Sequence, residues 1–172
     1  MTGFLDASAT NPQSSIYNLQ SVNIRPATAA DVPAMMALER HAATAAHWSA
    51  ADYARLFAPG AERVALVLEE EVVEGFAVAR GVGTEWEIEN IAVAGPAQRR
   101  GLGTHLLVEL LDRLRQAGAR NVYLEVRESN RAARALYERW AFVESGRRKA
   151  YYHHPDEDAV LYRFIFPLIS EK

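Results

Sequence analysis

The chain has 172 residues, of which 49% are hydrophobic and 24% charged, and its formal net charge is −3. This length and composition predict one compact domain with a sizeable core, and they exclude a disordered or fibrous chain. No apolar run approaches the roughly 18 to 20 residues of a membrane span, and no cysteine is available for disulfides, thiolate metal sites or acyl-cysteine chemistry. With the negative net charge, these features predict a cytoplasmic protein without a membrane or nucleic-acid partner.

The start of the chain differs in composition from the rest. Residues 1–21 are polar, contain serine, asparagine and proline, and show no hydrophobic period. Such a segment predicts a flexible extension, so we expect a single domain over residues 22–172.

After this segment, hydrophobic patterns of two periods follow one another along the chain. Runs rich in β-branched and aromatic residues predict strands near 22–26, 63–69, 72–79, 85–93, 121–127, 142–147 and 159–166. Apolar side chains at helical spacing predict helices that begin near Thr28, Ser49, Gly101 and Asn130. The three strands between the second and third helices read as antiparallel. This order predicts an α+β domain with helices packed on a central sheet.

A strand, a basic glycine-containing turn and a helix start follow one another over residues 91–104. Residues 91–93 end the strand, and the turn carries arginines at positions 99 and 100 and glycines at 101 and 103. The first N–H groups of a helix have no internal partner and carry partial positive charge, and glycines let a diphosphate approach the backbone. The pattern predicts an anion site for a phosphate-bearing ligand.

Other interpretations of this turn remain open from the residues alone. An ordinary helix start with exposed arginines accounts equally well for two glycines and two arginines. A P-loop does not fit, because its Lys-Ser/Thr pair is missing. A dinucleotide fingerprint fits the first two glycines and puts Glu125 near the ribose, but Leu106 stands where the third glycine belongs and the preceding strands form a hairpin.

The same residues resemble the GCN5-related N-acetyltransferase (GNAT) superfamily, whose acetyl-CoA signature Gln/Arg-x-x-Gly-x-Gly/Ala is matched by residues 98–103. Further segments are similar to the RimI-type ribosomal-protein alanine N-acetyltransferases, which act on the N-terminal alanine of small-subunit protein S18. These segments are residues 90–93, 124–130, 135–138 and 147–159. The resemblance covers nearly everything after Val22 and implies the GNAT fold, a central mixed and mostly antiparallel sheet flanked by helices.

The resemblance implies acetyl-CoA as the acetyl donor, with no metal, and assigns most of its contacts to the main chain. In the family, the strand end pairs with the pantetheine arm and the glycine turn wraps the pyrophosphate. An asparagine that caps the next helix also reaches the cofactor. The matching residues are Ile91, Ala92, Val93, Arg99, Arg100, Gly101, Leu102, Gly103, Thr104 and Asn130.

Two side chains match the family's proton-transfer residues. Glu125 matches the base that deprotonates the acceptor's ammonium, and Tyr137 matches the acid that protonates the leaving thiolate of CoA. Without the resemblance, the pattern predicts that Glu125 is a solvent-exposed glutamate on a strand. It predicts that Tyr137 packs in the core as part of an apolar helix stripe with Trp140. Glu89 is a second candidate for the base, because related enzymes often use an acid on its strand.

The acceptor side is predicted from two features. Tyr151 and Tyr152 match a hairpin that covers the incoming peptide, and the two histidines after them read as an exposed turn. Glu85, Glu87 and Glu89 alternate along one strand as an acidic row. If this acidic row borders the groove that binds the acceptor peptide, it attracts a cationic substrate. The alternative for the row is plain solvated charge.

Two positions depart from the family's pattern. Ala141 stands where glycine is common, at the turn between the last helix and the strand after it. Glu89 replaces a residue that is often apolar in the S18-modifying group, which bears on the identity of the acceptor.

Residues and resemblance together predict an acetyl-CoA-dependent N-acetyltransferase that acts on the N-terminal α-amine of a protein. The expected acceptor is an S18-like alanine followed by basic residues. Because the chain has no cysteine for a covalent intermediate, we expect direct transfer within a ternary complex. Transfer to a small-molecule amine is one alternative, against which the peptide hairpin argues. A non-catalytic acyl-CoA sensor is another, against which Glu125 and Tyr137 argue.

Overall fold

A seven-stranded sheet forms the centre of the computed structural model, which describes residues 22–42, 48–60 and 62–167. The strands are β1 (Asn23–Pro26), β2 (Arg63–Glu69), β3 (Val73–Val82), β4 (Glu85–Val93), β5 (Asn121–Arg127), β6 (Val143–Tyr152) and β7 (Glu157–Ile165). The helices are α1 (Val32–His41), α2 (Ala50–Leu56), α3 (Leu102–Gln116) and α4 (Arg131–Arg139). None of the helices in these ranges has the length and apolar surface that a membrane span requires. The extension predicted over residues 1–21 lies outside the described residues.

Among the described strands, the order across the sheet is β1-β2-β3-β4-β5-β7-β6. Neighbouring strands are antiparallel except β4 and β5, which are parallel, so the predicted α+β class with a mixed, mostly antiparallel sheet is confirmed. β3 and β6 extend beyond their predicted ends at residues 79 and 147. β6 is an edge strand with mostly exposed side chains, so it lacks the apolar alternation from which a strand's length can be predicted.

Helices cover both faces of the sheet and bury separate cores. On one face, α3 packs its leucines against the sheet; these are Leu102, Leu106, Leu107, Leu110, Leu111 and Leu114. On the other face, Met35 of α1 and Tyr53 of α2 pack on Val67, Phe76 and Val78. This second cover does not extend over the neighbouring part of β4 and β5, where Glu87 is exposed and Glu125 half-buried.

β4 and β5 run side by side over a short distance and then separate. Parallel pairing joins residues 85–88 to residues 121–124, whereas β4 continues to Val93 and β5 to Arg127. The register of β4 against β3 shifts between Ile88 and Asn90, which leaves Glu89 as the extra residue of a β-bulge. Because a bulge bends a strand and increases its twist, the two strands diverge at this point and a cleft opens between them.

The end of α4 keeps a tight turn although alanine occupies the position where glycine is common. Ala141 has a φ of +62°, in the left-handed region. Its N–H donates to the carbonyl oxygen of Glu138, and the N–H of Phe142 donates to that of Tyr137. These bonds, together with ring centroids of Tyr137 and Phe142 5.6 Å apart, form a Schellman C-cap. Ala141 therefore leaves the turn intact but bears the strain of a left-handed non-glycine residue.

Ala141→Gly is expected to raise the free energy of unfolding by about 0.5 to 1 kcal/mol, because glycine adopts a left-handed φ without the Cβ penalty. Urea unfolding followed by circular dichroism measures the change. The matched control is Ala135→Gly, at an exposed position inside α4, which should lower the same free energy by about 1 kcal/mol. Equal losses of stability at both positions would contradict a strained turn.

Candidate active site

The cleft between the diverging ends of β4 and β5 has a volume of about 580 Å³. Most of the residues predicted for the site line it: Glu89, Ile91, Ala92, Val93, Arg99, Gly103, Glu125, Asn130, Tyr137, Tyr151 and Tyr152. Arg100, Gly101, Leu102 and Thr104 lie outside its lining. The structure therefore brings the strand end, the first turn of α3, the start of α4 and the β6–β7 hairpin around one cavity.

One edge of β4 is open along this cleft. Beyond Ile88, its main chain pairs with β3 but no longer with β5. An extended ligand can bind such an edge through main-chain hydrogen bonds, as an added strand does. The open edge ends near Val93, whose carbonyl oxygen accepts a hydrogen bond of 3.0 Å from the side chain of Gln98.

The first turn of α3 forms one end of the cleft. The N–H of His105 donates to the carbonyl oxygen of Gly101, so the N–H groups of the three residues between them have no partner inside the helix. Arg99 and Gly101 both have a left-handed φ, of +60° and +81°, and turn the chain sharply into α3. Unpartnered N–H groups and the helix dipole together favour an anion at this end.

Gly103 leaves open a space that a side chain would fill. A Cβ at this position would lie 3.8 Å from Cδ2 of Leu136 and 3.9 Å from Cγ2 of Val93, and both of these residues line the cleft. These are ordinary van der Waals distances, so packing within the protein does not require glycine here. The gap exposes the α3 backbone to the cleft, which fits a diphosphate group.

The two arginines of the turn point in different directions. Arg99 lines the cleft, whereas the guanidinium of Arg100 lies 2.7 Å from Glu70 and 3.6 Å from Glu74. Leu102 buries its side chain in the α3 core. Contacts of Arg100 and Leu102 with acetyl-CoA therefore stay predictions that concern their main chains.

Glu125 extends from β5 into the other end of the cleft. Its Oε1 lies 3.1 Å from Nη2 of Arg148 on β6, and its side chain is 17% exposed. The hydroxyl of Tyr151 donates to the same carboxylate, and this bond raises the pKa of the Tyr151 phenol. A half-buried carboxylate that lines a ligand cleft has the placement required of a general base.

Tyr137 is buried in α4 and also lines the cleft. Its ring packs against Phe142 and Tyr162, so packing and access to the cavity occur together. Burial raises the pKa of its phenol, and Tyr152 adds to the shift. The hydroxyl therefore stays protonated well above neutral pH and is available as a donor. The prediction that Trp140 shares this buried side with Tyr137 is wrong. α4 ends at Arg139, and Trp140 is exposed in the C-cap.

The acidic row does not act as one surface. Glu85 accepts a hydrogen bond of 2.6 Å from Asn121 and does not line the cleft. Glu89 lies at the bulge and forms an ion pair of 3.1 Å with Arg63 of β2, in which both side chains are 18% exposed. By comparison, the Arg148 side chain that contacts Glu125 is 53% exposed. The ion pair of Glu125 is thus the more exposed and the more weakly held of the two, so Glu125 is the more accessible candidate base.

The β6–β7 hairpin borders the same end of the cleft. The rings of Tyr151 and Tyr152 are in edge contact, with centroids 5.2 Å apart. Arg127 lies over the Tyr152 ring at 4.3 Å and is held by Glu157 at 3.3 Å, which ties the hairpin to the end of β5. The turn at residues 153–156 is exposed, as predicted. Within the described ranges, no three His, Asp or Glu side chains are grouped as a metal site.

The arginines that contact the two candidate bases are not indicated by any local pattern in the sequence. Arg63 and Glu89 lie on strands separated by β3, and Glu125 and Arg148 lie on strands separated by β7. Their contacts arise from the order of strands in the sheet, which sequence periodicity does not contain. The only signal available in the sequence is complementary charge, and it does not select one pair from the many arginines and glutamates.

Comparison with known proteins relates this chain to acetyltransferases. The sequence profile of the Acetyltransferase (GNAT) family matches residues 32–142. The [ribosomal protein bS18]-alanine N-acetyltransferase of Escherichia coli K12 is 46% identical over 88 residues, which cover 50% of this chain and 60% of that protein. The aligned part thus spans less than two thirds of that relative's own length.

Solved structures resemble the fold over most of its length. The crystal structure of the ribosomal-protein-S18-alanine N-acetyltransferase from Escherichia coli has a TM-score of 0.77 and 33% identity, covering 87% of this chain and 97% of that one. Arabidopsis thaliana NAA60 in complex with acetyl-CoA has a TM-score of 0.74 and 20% identity, covering 84% of this chain and 99% of that one. At 20% identity the second likeness concerns the fold alone.

Proposed function

Because the chain belongs to the acetyltransferase (GNAT) family, we propose that it transfers the acetyl group of acetyl-CoA to the N-terminal α-amine of a protein. The proposed acceptor residue is an N-terminal alanine, and ribosomal protein S18 is the candidate substrate. The observation that carries the proposal is a single cleft that combines an open strand edge and a helix N-terminus with the side chains of Glu125 and Tyr137. The bS18-specific names of the relatives support the choice of acceptor.

Acetyl-CoA would supply an activated acetyl thioester, and the chain offers separate groups for its two polar parts. We propose that main-chain groups of Ile91, Ala92 and Val93 pair with the amides of the pantetheine arm, and the open edge of β4 along the cleft supports this. The N–H groups at the start of α3 and the guanidinium of Arg99 suit the pyrophosphate. Gly103 keeps the approach to that backbone open.

We assign proton transfer to two side chains that line the cleft, Glu125 of β5 and Tyr137 of α4. Glu125 accepts a proton from the acceptor's ammonium, so that a neutral amine attacks the thioester carbon. The ammonium has the same charge as the guanidinium of Arg148 and replaces its contact with the carboxylate. Tyr137 then donates a hydrogen bond or a proton to the leaving sulfur.

Tyr137→Phe is expected to lower kcat about tenfold while leaving the stability of the fold nearly unchanged. The ring that packs on Phe142 and Tyr162 is retained, and only the donor is lost. The loss is modest because a thiol has an ordinary pKa of about 8.5 and its thiolate leaves without full protonation. Steady-state release of CoA measures kcat, and the thermal midpoint checks the fold. Unchanged kcat in a folded variant would remove Tyr137 from the reaction.

A panel of acceptors tests the proposed function. Peptides with a free N-terminal alanine, the same peptides with a blocked N-terminus and an internal lysine, and a small polyamine are each incubated with the enzyme and acetyl-CoA. We expect the highest kcat/KM on the free N-terminal alanine. A polyamine acetylated far faster than every peptide would overturn the peptide assignment and leave acetyl transfer itself standing.

A further inference from the structure

A second cavity of about 330 Å³ adjoins the acceptor end of the cleft. It lies over the part of the sheet that α1 and α2 leave uncovered, and it shares Glu87, Leu124 and Glu125 with the cleft. An acceptor whose amine reaches Glu125 must place the rest of its chain somewhere beside that carboxylate. The second cavity begins at the same residue and therefore offers space for the next part of the acceptor.

Two carboxylates in this cavity, those of Glu85 and Glu87, have no lysine or arginine partner within the described part of the chain, and Glu87 is the one that accepts no side-chain hydrogen bond there either. The charged residues that line it are Arg80, Glu85, Glu87, Glu125 and Arg148. Glu125 is paired with Arg148 at 3.1 Å, and Glu85 accepts a hydrogen bond from Asn121. No lysine or arginine nitrogen of the described residues lies within 4.0 Å of the Glu87 carboxylate, although Arg80 stands in register with it on β3.

The local field at Glu87 favours an added positive charge. Although Glu87 is exposed as a residue, the surrounding cavity partly desolvates its carboxyl and raises the pKa, and the negative charges of Glu125 and Glu89 raise it further, against opposing effects of Arg80 and Arg148. A cation that binds beside Glu87 relieves this repulsion and keeps the carboxylate ionised. The residue is thus placed to bind a cationic group of the substrate.

We propose that Glu87 determines specificity by binding the basic side chain of the second residue of the acceptor peptide. The inference rests on the proposed function and adds to it a preference for arginine or lysine after the acetylated alanine. It assigns to one residue, in a defined cavity, the attraction that the sequence spreads over the whole acidic row.

Strand geometry sets the distance over which this recognition acts. Glu87 lies in register with Tyr123, and Glu125 is two residues further along β5. With strands about 4.8 Å apart and a rise of about 3.3 Å per residue, the Cα atoms of Glu87 and Glu125 are about 8 Å apart. An extended peptide advances about 3.5 Å per residue, so a long second side chain reaches Glu87 when the amine is at Glu125.

The test compares three peptides that differ only in their second residue, beginning Ala-Arg, Ala-Ala and Ala-Glu. Glu87→Gln is expected to lower kcat/KM on the Ala-Arg peptide about tenfold, chiefly through KM, and to leave the Ala-Ala peptide within about twofold. Glu87→Arg should reverse the order of the Ala-Arg and Ala-Glu peptides. Calorimetric titration of the Ala-Arg peptide in the presence of CoA provides a second readout that does not depend on turnover.

The matched control is Glu109→Gln, which removes the same charge from the outer surface of α3, where Glu109 pairs with Arg113. This control variant should leave kcat/KM on all three peptides unchanged. An equal loss of kcat/KM on all three peptides with Glu87→Gln, or no loss on any of them, would overturn the assignment. It would also be overturned if Glu87→Gln lowered kcat/KM on a diamine but not on the peptides. A wild-type enzyme inactive on every peptide would overturn the proposed function itself, and this inference with it.

Discussion

Glu125→Gln is expected to lower kcat by about 100-fold or more while leaving the affinity for acetyl-CoA unchanged. Glutamine keeps the size of the side chain and an oxygen that accepts from Arg148 and Tyr151, so the walls of the cleft stay in place. It cannot take a proton from the acceptor's ammonium, and only neutral amine that arises in solution then reacts. Steady-state kinetics with saturating peptide give kcat, and calorimetric titration gives the acetyl-CoA affinity.

Glu89→Gln is the paired variant for this experiment. Glu89 carries the same carboxyl group in the same cleft but is engaged by Arg63, so its replacement should lower kcat much less. If Glu89→Gln has the much lower kcat and Glu125→Gln has a nearly normal kcat, the base is on β4 and not on β5. That outcome would leave the acetyl-CoA site unaffected.

The pH dependence of wild-type kcat follows from the same two residues. The rate should rise with pH on the acid side, because both the base and the amine must lose a proton before attack. Burial raises the pKa of Tyr137 above the ordinary tyrosine value of about 10, so the donor stays protonated and no fall in rate is expected below about pH 9. A decline that begins near neutral pH would contradict the role of Tyr137.

Gly103→Val is expected to weaken acetyl-CoA binding about 100-fold without unfolding the protein. A Cβ at residue 103 would fit beside Leu136 and Val93 at ordinary contact distances, and the two branching methyl groups would then fill the approach to the α3 backbone. Loss of two charge-assisted hydrogen bonds to a pyrophosphate, each of about 1.5 kcal/mol, corresponds to about that factor. Calorimetric titration with acetyl-CoA measures it.

His105→Val is the control for this variant, because it puts the same β-branched residue into the first turn of α3 at an exposed position. It should bind acetyl-CoA as the wild type does. Gly101 is a poorer choice for the same test, since its φ of +81° makes any side chain strained there. Unchanged affinity in a folded Gly103→Val protein would remove this turn from the cofactor site.

Elements with a strong local pattern were predictable from the sequence, and those defined by distant partners were not. The spacing of its leucines predicted the position of α3, and the apolar alternation along residues 121–127 predicted the position of β5. β6 is an edge strand of mostly exposed residues without apolar alternation, so its length depends on pairing with β7 and not on its own pattern. The insertion of β7 between β5 and β6 is likewise a long-range pairing that periodicity does not specify.

The two ends of the candidate site differ in the same way. The end assigned to acetyl-CoA is one continuous strand, turn and helix, so the contiguous residues 91–104 were sufficient to predict it. The amine end combines side chains of β4, β5 and β6, and no local pattern brings Arg148 to Glu125. The bulge at Glu89 also interrupts the alternation of the acidic row, and the sequence has no glycine or other feature there that marks a bulge.

Tandem mass spectrometry of a single peptide decides whether the enzyme acetylates an N-terminal α-amine. The peptide begins Ala-Arg, carries a free N-terminus and one internal lysine, and is incubated with the enzyme and acetyl-CoA. Both amines are then offered at equal concentration in one molecule, so the position of the acetyl group reports the choice made by the cleft. We expect acetylation of the alanine α-nitrogen with the lysine unmodified. Acetylation of the lysine side chain, or none on either amine, would contradict it.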